Sequence, residues 1–230
     1  MTPMYSREWF ESFAATVPRE LSDADLRGVT EALPREAFPR LLDVGCGIGR
    51  ISGPLSALGY SVTALDVSRV ALASARRRAP GPRYLALDQR HIGRLRWEFD
   101  GAIVLWNSLG FAGRGGDLET LTGLARVLRP GGRLALDLYH PGWLARNQRD
   151  GRDERGPAVK RWLREGRLFH EIRYENGRMD AIEFDVYPPD EIGALCRRAG
   201  FQPRAELVWW QSAEPSAESP RYQLIAEKLA

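Results

Sequence analysis

The sequence predicts an α/β fold in which a mostly parallel sheet carries helices on both faces. Apolar runs alternate with amphipathic segments from Leu41 to Asp137. The first apolar run passes directly into a glycine-rich turn at residues 45–49. Two further β-type runs close the chain, and we interpret them as a terminal hairpin. Parallel neighbours need a long crossover, usually a helix, so the alternation favours a parallel sheet.

Residues 1–36 are predicted to form a helical cap ahead of the first strand. Tyr5 and Trp9 recur at helical spacing, which indicates an amphipathic N-terminal helix. A second helix is expected to begin at Ser22, whose hydroxyl would cap it. Later in the chain, Pro54 falls inside the helix expected after the glycine turn and should shorten its regular part. Ser68 is predicted to cap the next helix.

Residues 141–187 are predicted to form an antiparallel β flap inserted after the fifth strand. The segment starts with a polar stretch that we expect to be mobile. Three short β-type runs follow, and Asn176-Gly177 is the turn pair typical of a hairpin. His170 lies in this flap, but the side it faces depends on a strand register that the sequence does not determine.

A glycine turn and an acid form a frame for an adenosine cofactor. Gly45, Gly47 and Gly49 permit backbone angles that other residues avoid, and they let a ligand lie against the main chain. The next apolar run ends in Asp66, whose carboxylate can accept hydrogen bonds from both ribose hydroxyls. The dinucleotide fingerprint places its last glycine where this chain has Arg50.

The spacing of these glycines resembles the first motif of the class I S-adenosylmethionine-dependent methyltransferases. The resemblance implies that the loop carrying Gly45, Cys46 and Gly47 holds the cofactor. It also implies that Asp66, followed by Val67, supplies the ribose-binding acid.

Three later segments fit the same family in order. Asp88 matches the acid that faces the adenine amino group, and Gln89 would supply nearby backbone. Leu105 and Trp106 stand at the tip of the fourth strand, and residues 128–137 are similar to the family's next turn and strand. The resemblance is firm over residues 38–140 and resumes from about residue 186.

The resemblance implies a seven-stranded, doubly wound sheet whose last strand is antiparallel. Residues 1–230 would then form a single methyltransferase domain with its helical cap and inserted flap. The implied cofactor is S-adenosylmethionine. Tyr5 and Trp9 resemble a lid over it, although plain core packing explains them as well. Trp106 is open to two interpretations, stacking near the adenine or packing in the core.

His140 is the predicted general base, because it follows the fifth strand, whose tip should face the donor methyl group. A loop histidine that caps or packs is the alternative. The donor sulfonium is already activated, so catalysis can also rest on holding the reactants in line. No metal is expected, since the three histidines are scattered and no carboxylate cluster stands at ligand spacing.

The predicted reaction is methyl transfer to a nitrogen or oxygen atom of a small molecule. Residues 107–111 resemble small-molecule methyltransferases and lack the motif of enzymes that methylate amino groups of nucleic acids. Two alternatives stay open: a nicotinamide-dependent oxidoreductase, and a non-catalytic module that only binds the cofactor. An RNA methyltransferase is a weaker option, because no RNA-binding appendage is visible.

The composition of the chain limits which kinds of partner we expect it to bind. The formal net charge is +3, so obligate nucleic-acid binding is not indicated. Cys46 and Cys196 are the only two cysteines, which excludes a disulfide framework. The amino terminus lacks a cationic start followed by an apolar run, and no stretch is apolar enough to span a bilayer. We therefore expect a cytoplasmic monomer or homodimer with no membrane contact.

Overall fold

The computed structural model describes residues 5–152 and 157–229. Residues 1–4 of the predicted cap and 153–156 of the predicted flap lie outside the described residues. The α-helices are α1 Arg7–Thr16, α2 Arg19–Ala32, α3 Ser52–Ala57, α4 Arg69–Arg78, α5 Gly113–Val127, α6 Pro141–Arg146 and α7 Pro189–Arg198. A 3₁₀ helix spans Gln89–Arg94. The strands are β1 Arg40–Val44, β2 Ser61–Asp66, β3 Arg83–Ala86, β4 Phe99–Val104, β5 Leu128–Tyr139, β6 Arg149–Arg152, β7 Ala158–Arg164, β8 Arg167–Arg173, β9 Met179–Asp185, β10 Phe201–Val208, β11 Gln211–Ser212 and β12 Arg221–Lys228.

The main sheet confirms the predicted fold class. Its strand order is β11-β10-β12-β5-β4-β1-β2-β3. Every neighbouring pair among the first five strands of the chain is parallel. The last strand, β12, pairs antiparallel with both β5 and β10. The sheet has eight strands and not seven, because the two-residue β11 adds a short edge beside β10.

Helices cover both faces of this sheet, and each face has its own apolar core. Leu121 and Leu124 of α5 pack with Ile192 of α7 on one face. Val29 of α2 and Leu72 of α4 pack on the other face. Strand β4 is buried along its whole length, as expected for a central parallel strand covered on both sides.

The helix caps follow the sequence in one place and depart from it in another. Ser68 caps α4 as predicted, since its hydroxyl accepts a hydrogen bond from the Ala71 backbone N–H at 3.2 Å. The prediction that Ser22 begins the second helix was wrong, because α2 starts at Arg19 after Pro18. Proline fixes the extended backbone before the first turn, and the helix begins one turn earlier.

A second, four-stranded antiparallel sheet, β6-β7-β8-β9, follows β5 in the chain. Its β8 and β9 are joined through a turn where Gly177 N–H donates to the Tyr174 carbonyl at 3.1 Å. The stretch that we expected to be mobile instead contains α6 and β6. Within the described residues, no helix has the length and apolar character needed to cross a membrane.

Candidate cofactor and acceptor site

A cavity of about 410 Å³ opens at the carboxyl ends of the parallel strands. This is the edge where open α/β sheets bind ligands, and the volume is typical of a small-molecule site. The structure brings all eleven predicted cofactor-binding residues to its wall: Tyr5, Trp9, Gly45, Cys46, Gly47, Asp66, Val67, Asp88, Gln89, Leu105 and Trp106.

The glycine turn needs its glycines for two different reasons. Gly45 has a φ of 71°, and a Cβ atom there would lie 2.3 Å from the Ser108 hydroxyl. Gly47 also has a positive φ, 53°, but a Cβ there would meet nothing closer than 3.6 Å. Gly45 therefore allows the turn to pack against the end of β4, while Gly47 keeps the backbone open toward the cavity.

Asp66 is held in place by two backbone N–H groups. One carboxylate oxygen accepts from Gly47 at 2.9 Å, and the other accepts from Ser68 at 2.8 Å. Burial raises the pKa of Asp66, and hydrogen bonds from Ser68 and Gly47 oppose that shift. Each oxygen keeps a further lone pair, so the fixed carboxylate can still accept from a ligand hydroxyl.

Asp88 has a protein partner as well as a place in the cavity wall. Its carboxylate forms an ion pair with Arg90 at 2.6 Å and caps the 3₁₀ helix. The hydrogen bond from Arg90 lowers the pKa of Asp88, despite partial burial. The carboxylate stays ionised and can accept a hydrogen bond from an amino group, although Arg90 already occupies part of its hydrogen-bonding capacity.

The tip of β4 has an unusual backbone. Trp106 and Asn107 both have positive φ values, 53° and 58°, which are uncommon for residues other than glycine. Asp137 holds this turn, because its carboxylate accepts from the Trp106 backbone N–H at 3.0 Å. Such strain persists only where surrounding contacts fix it, and it is frequent at functional sites.

Asn107 lines the cavity with an unused donor. Its side-chain oxygen accepts from the Tyr139 backbone N–H at 2.6 Å, which fixes the orientation of the amide. Its Nδ2 is buried and has no hydrogen-bond partner within the described residues. Buried donors are nearly always paired in folded proteins, so this N–H is suited to a ligand oxygen. In the sequence, Asn107 stands out only as the first residue of the segment 107–111.

A network around Asp25 is a part of the site that sequence reasoning missed. Asp25 accepts from the indole N–H of Trp106 at 2.6 Å and of Trp210 at 3.0 Å. It also pairs with Arg50 at 2.8 Å, and that guanidinium lies 4.4 Å from the Trp106 ring centre. Trp106 thus lines the cavity and is anchored to α2. Asp25 stands inside an amphipathic helix, where no sequence signal marks it.

Tyr5 and Trp9 cover the cavity as a stacked pair, with ring centres 4.5 Å apart. Tyr5 also meets the edge of Phe111 at 6.0 Å. Burial is the main reason that the pKa of Tyr5 is raised well above its usual range. The rings therefore pack together and face the cavity at the same time, so the two interpretations are compatible.

His140 is not among the residues that line the cavity. Its Nδ1 accepts from the Gly142 backbone N–H at 3.2 Å and so caps α6. Its ring lies edge-on to Tyr222, with centres 6.0 Å apart. These contacts correspond to the alternative in which His140 caps and packs. Neither of the two residues that His140 contacts here lines the cavity.

His170, in contrast, lines the cavity. It stands in β8 between Arg161 of β7 and Ile182 of β9. Burial, followed by the charge of Arg161, lowers the pKa of His170 to about 4. The imidazole is therefore neutral at pH 7. The sequence marked this histidine, but only the register of the flap directs it inward.

The described residues contain no group of three or more histidine, cysteine or acidic side chains that could hold a metal ion. The two cysteines are both buried. Burial raises the pKa of Cys196 to about 12, and it raises that of Cys46 well above its ordinary value. Both thiols are therefore protonated at neutral pH.

Comparison with known proteins points to one family. A family model described as a methyltransferase domain matches residues 41–132. YqeM of Bacillus subtilis (strain 168), provisionally named a methyltransferase, is 26% identical over 241 residues, covering 95% of this chain and 97% of that protein. The malonyl-(acyl-carrier protein) O-methyltransferase of Enterobacter lignolyticus (strain SCF1) is 36% identical over 116 residues, which span 50% of this chain and 45% of that relative.

A solved structure extends the comparison to the whole fold. CalS10 of Micromonospora echinaspora, an amino pentose methyltransferase with bound S-adenosylmethionine, superposes with a TM-score of 0.72 at 22% identity. The match covers 98% of each chain. These matches together support a class I S-adenosylmethionine-dependent methyltransferase, with S-adenosylmethionine as its cofactor.

Proposed function

We propose that this methyltransferase transfers its methyl group to a nitrogen or oxygen atom of a small molecule. The observation that carries the proposal is the lining of the cavity, which joins the predicted cofactor residues to residues of the four-stranded flap sheet. Leu168, His170 and Phe184 of the flap line that end. A covered, largely apolar end suits a small acceptor better than a polymer.

The named relatives support an acceptor group that is small, whether it is free or attached to a carrier protein. One acts by name on an oxygen of malonyl-(acyl-carrier protein), and another acts on an amino pentose. Their range leaves both nitrogen and oxygen open for this chain. The nicotinamide alternative loses its basis, since these relatives are named as methyltransferases.

The residues around the glycine turn would hold the cofactor. We assign the backbone of Gly45 and Gly47 to close contact with it, and Asp66 to its ribose hydroxyls. Asp88 would accept from the adenine amino group. When bound, S-adenosylmethionine supplies an activated methyl group on its sulfonium. The protein then has to orient the acceptor and exclude water, for which Tyr5 and Trp9 close one side.

An amine or hydroxyl acceptor also has to lose a proton. We assign this step to His170, because its neutral imidazole lines the acceptor end. The predicted role of His140 as base stays a prediction that rests on the sequence. The single-domain organisation over residues 1–230, the cytoplasmic location and the monomeric or homodimeric state are likewise predictions.

A transfer assay tests the proposed function. The protein is incubated with S-adenosylmethionine labelled on its methyl group and a panel of small amines, alcohols and phenols. We expect labelled product and S-adenosylhomocysteine in equal amounts with at least one acceptor. A protein that binds S-adenosylmethionine but never forms S-adenosylhomocysteine with any panel member would correspond to the non-catalytic module.

A further inference from the structure

The cavity contains an arginine whose charge is balanced by no acidic side chain among the residues that the structure describes. Four arginines line the cavity. Three of them form ion pairs with carboxylates: Arg50 with Asp25, Arg90 with Asp88, and Arg221 with Asp137. Arg161 has no such partner in the parts of the chain that the structure describes, 5–152 and 157–229.

The hydrogen bonds of Arg161 are also incomplete. One Nη2 donates to the Asn147 carbonyl oxygen at 3.3 Å. The Nε atom is buried, and no acceptor for it exists within those same described segments. A buried N–H without a partner is uncommon in a folded protein. A ligand that accepts hydrogen bonds at this place would provide the missing partner for the Arg161 guanidinium.

Neighbouring rings hold the guanidinium of Arg161 at the tip of β5. Its centre lies 5.4 Å from the Trp143 ring and 6.0 Å from the Tyr139 ring. His170 stands opposite Arg161 in the register of β7 and β8. Since that imidazole is neutral at pH 7, it neither balances the positive charge nor adds to it.

We propose that the acceptor carries one carboxylate and that Arg161 binds it. This inference rests on the proposed function. The planar guanidinium fork matches a carboxylate, and a single unbalanced cation matches a single negative charge. Phe111, Leu168 and Phe184 form the rest of this end. The acceptor is therefore a carboxylate joined to an apolar body.

The position of Arg161 separates it from the adenosine part of the cofactor. The strands run in the order β5-β4-β1-β2-β3, so the tip of β5 lies three strands from Asp66 at the tip of β2. At about 4.8 Å per strand, that distance is roughly 14 Å. The contact of Arg161 with Tyr139 at the tip of β5 thus places it away from the proposed ribose-binding acid.

A binding experiment tests the proposal with two matched probes, phenylacetate and its neutral analogue phenylacetamide. Each probe is titrated calorimetrically into the protein saturated with S-adenosylhomocysteine. We expect phenylacetate to bind at least about tenfold more tightly, as one charge-assisted contact implies. In Arg161→Gln this preference should disappear, while the affinity for S-adenosylhomocysteine stays unchanged.

Two further variants control the experiment. Arg164→Gln removes a charge from the same strand, at an exposed residue that pairs with Glu165, and should keep the full preference. Arg161→Lys keeps the positive charge but lacks the planar guanidinium group, so it should retain part of the preference for phenylacetate. This variant gives a readout if Arg161→Gln does not fold.

Three results would overturn the proposal. The first is a wild-type protein that binds phenylacetate no better than phenylacetamide, including one that binds neither. The second is a preference that survives in Arg161→Gln. The third is a tenfold loss of S-adenosylhomocysteine affinity in that variant, which would assign Arg161 to the cofactor's own carboxylate. The titrations need no turnover, so their failure is distinct from a failure of methyl transfer.

Discussion

The cofactor side and the acceptor side of the cavity are built in different ways. The cofactor side consists of turns that directly follow parallel strands, such as Gly45 to Gly47 after β1 and Asp66 at the end of β2. The acceptor side consists of side chains from a separate antiparallel sheet, including Arg161 and His170. Polar groups on the first side are fixed by local backbone contacts, whereas those on the second depend on strand pairing.

This difference teaches where sequence motifs carry information about a site. A strand end always stands at the edge of a parallel sheet, so a motif at that position is already placed. A residue inside an antiparallel strand faces either side, and a shift of one residue reverses it. The predictions below test the two sides separately.

Asp66→Ala should give the largest effect, the loss of measurable S-adenosylmethionine binding. Two charge-assisted hydrogen bonds would be lost, each on the order of 1.5–3 kcal/mol, so affinity should fall about 100-fold or more. Calorimetric titration measures this, with Asp66→Asn as the variant that preserves packing. An unchanged dissociation constant would remove Asp66 from the site.

Asp25→Ala should lower the free energy of unfolding by about 3 kcal/mol, because it leaves the buried guanidinium of Arg50 without its partner. Urea denaturation measures the change. Asp23→Ala is the matched control on the same helix, since Asp23 is exposed and lies 3.9 Å from Arg19. Equal stability of the two variants would show that the Asp25 network does not anchor Trp106.

His170→Ala should reduce kcat by about 100-fold while the affinity for S-adenosylmethionine stays the same. The physical reason is loss of the imidazole that accepts the acceptor's proton. His140→Ala is the direct comparison and should keep near-normal turnover if it only caps α6. A larger loss of kcat in His140→Ala would return the base to the tip of β5, as the sequence predicted.

The same histidine also predicts how stability changes with pH. Its pKa is about 4 in the folded protein and about 6.5 in an unfolded chain, so between these values only the unfolded state binds the proton. The free energy of unfolding should therefore decrease as the pH falls from 6.5 to 4. Tyr5, Trp9, Arg161, Arg149 and Asp180 surround this group. His170→Gln should show a shallower acid dependence than the wild type.

Asp88→Ala should weaken S-adenosylmethionine binding by only about fivefold, on the order of 1 kcal/mol. A single neutral amino group is involved, and Arg90 already occupies part of the carboxylate. The same calorimetric titration measures the change. A loss as large as that of Asp66→Ala would show that the two acids have exchanged roles.

A chelator should have no effect on turnover, which is the smallest expected effect. EDTA is added to the transfer assay, and the rate is compared with that of untreated protein. The described residues hold no cluster of three metal-ligating side chains. Inhibition by EDTA that magnesium reverses would require ligands outside that part of the chain or from the acceptor.

The sequence located the glycine turn and Asp66 at the edge of the sheet because their signals are local. Gly45 adopts a positive φ that a side chain disfavours, and the strand before it is an unbroken apolar run. One of its failures was local, and another came from a contact between distant segments. The cap at Ser22 was wrong because Pro18 begins the helix earlier, and Asp25 gained its role from Trp210, far along the chain.

The sequence by itself determined the alternation of strands and helices over residues 41–137, the parallel sheet and the positions of the glycine turn and Asp66. These depend on apolar periodicity and on backbone angles, which neighbouring residues set. Only the tertiary structure decided that His170 faces the cavity and that Arg161 lacks an acidic partner among the described residues. Each of these depends on register or on contact between elements, and neither is encoded within a short stretch of chain.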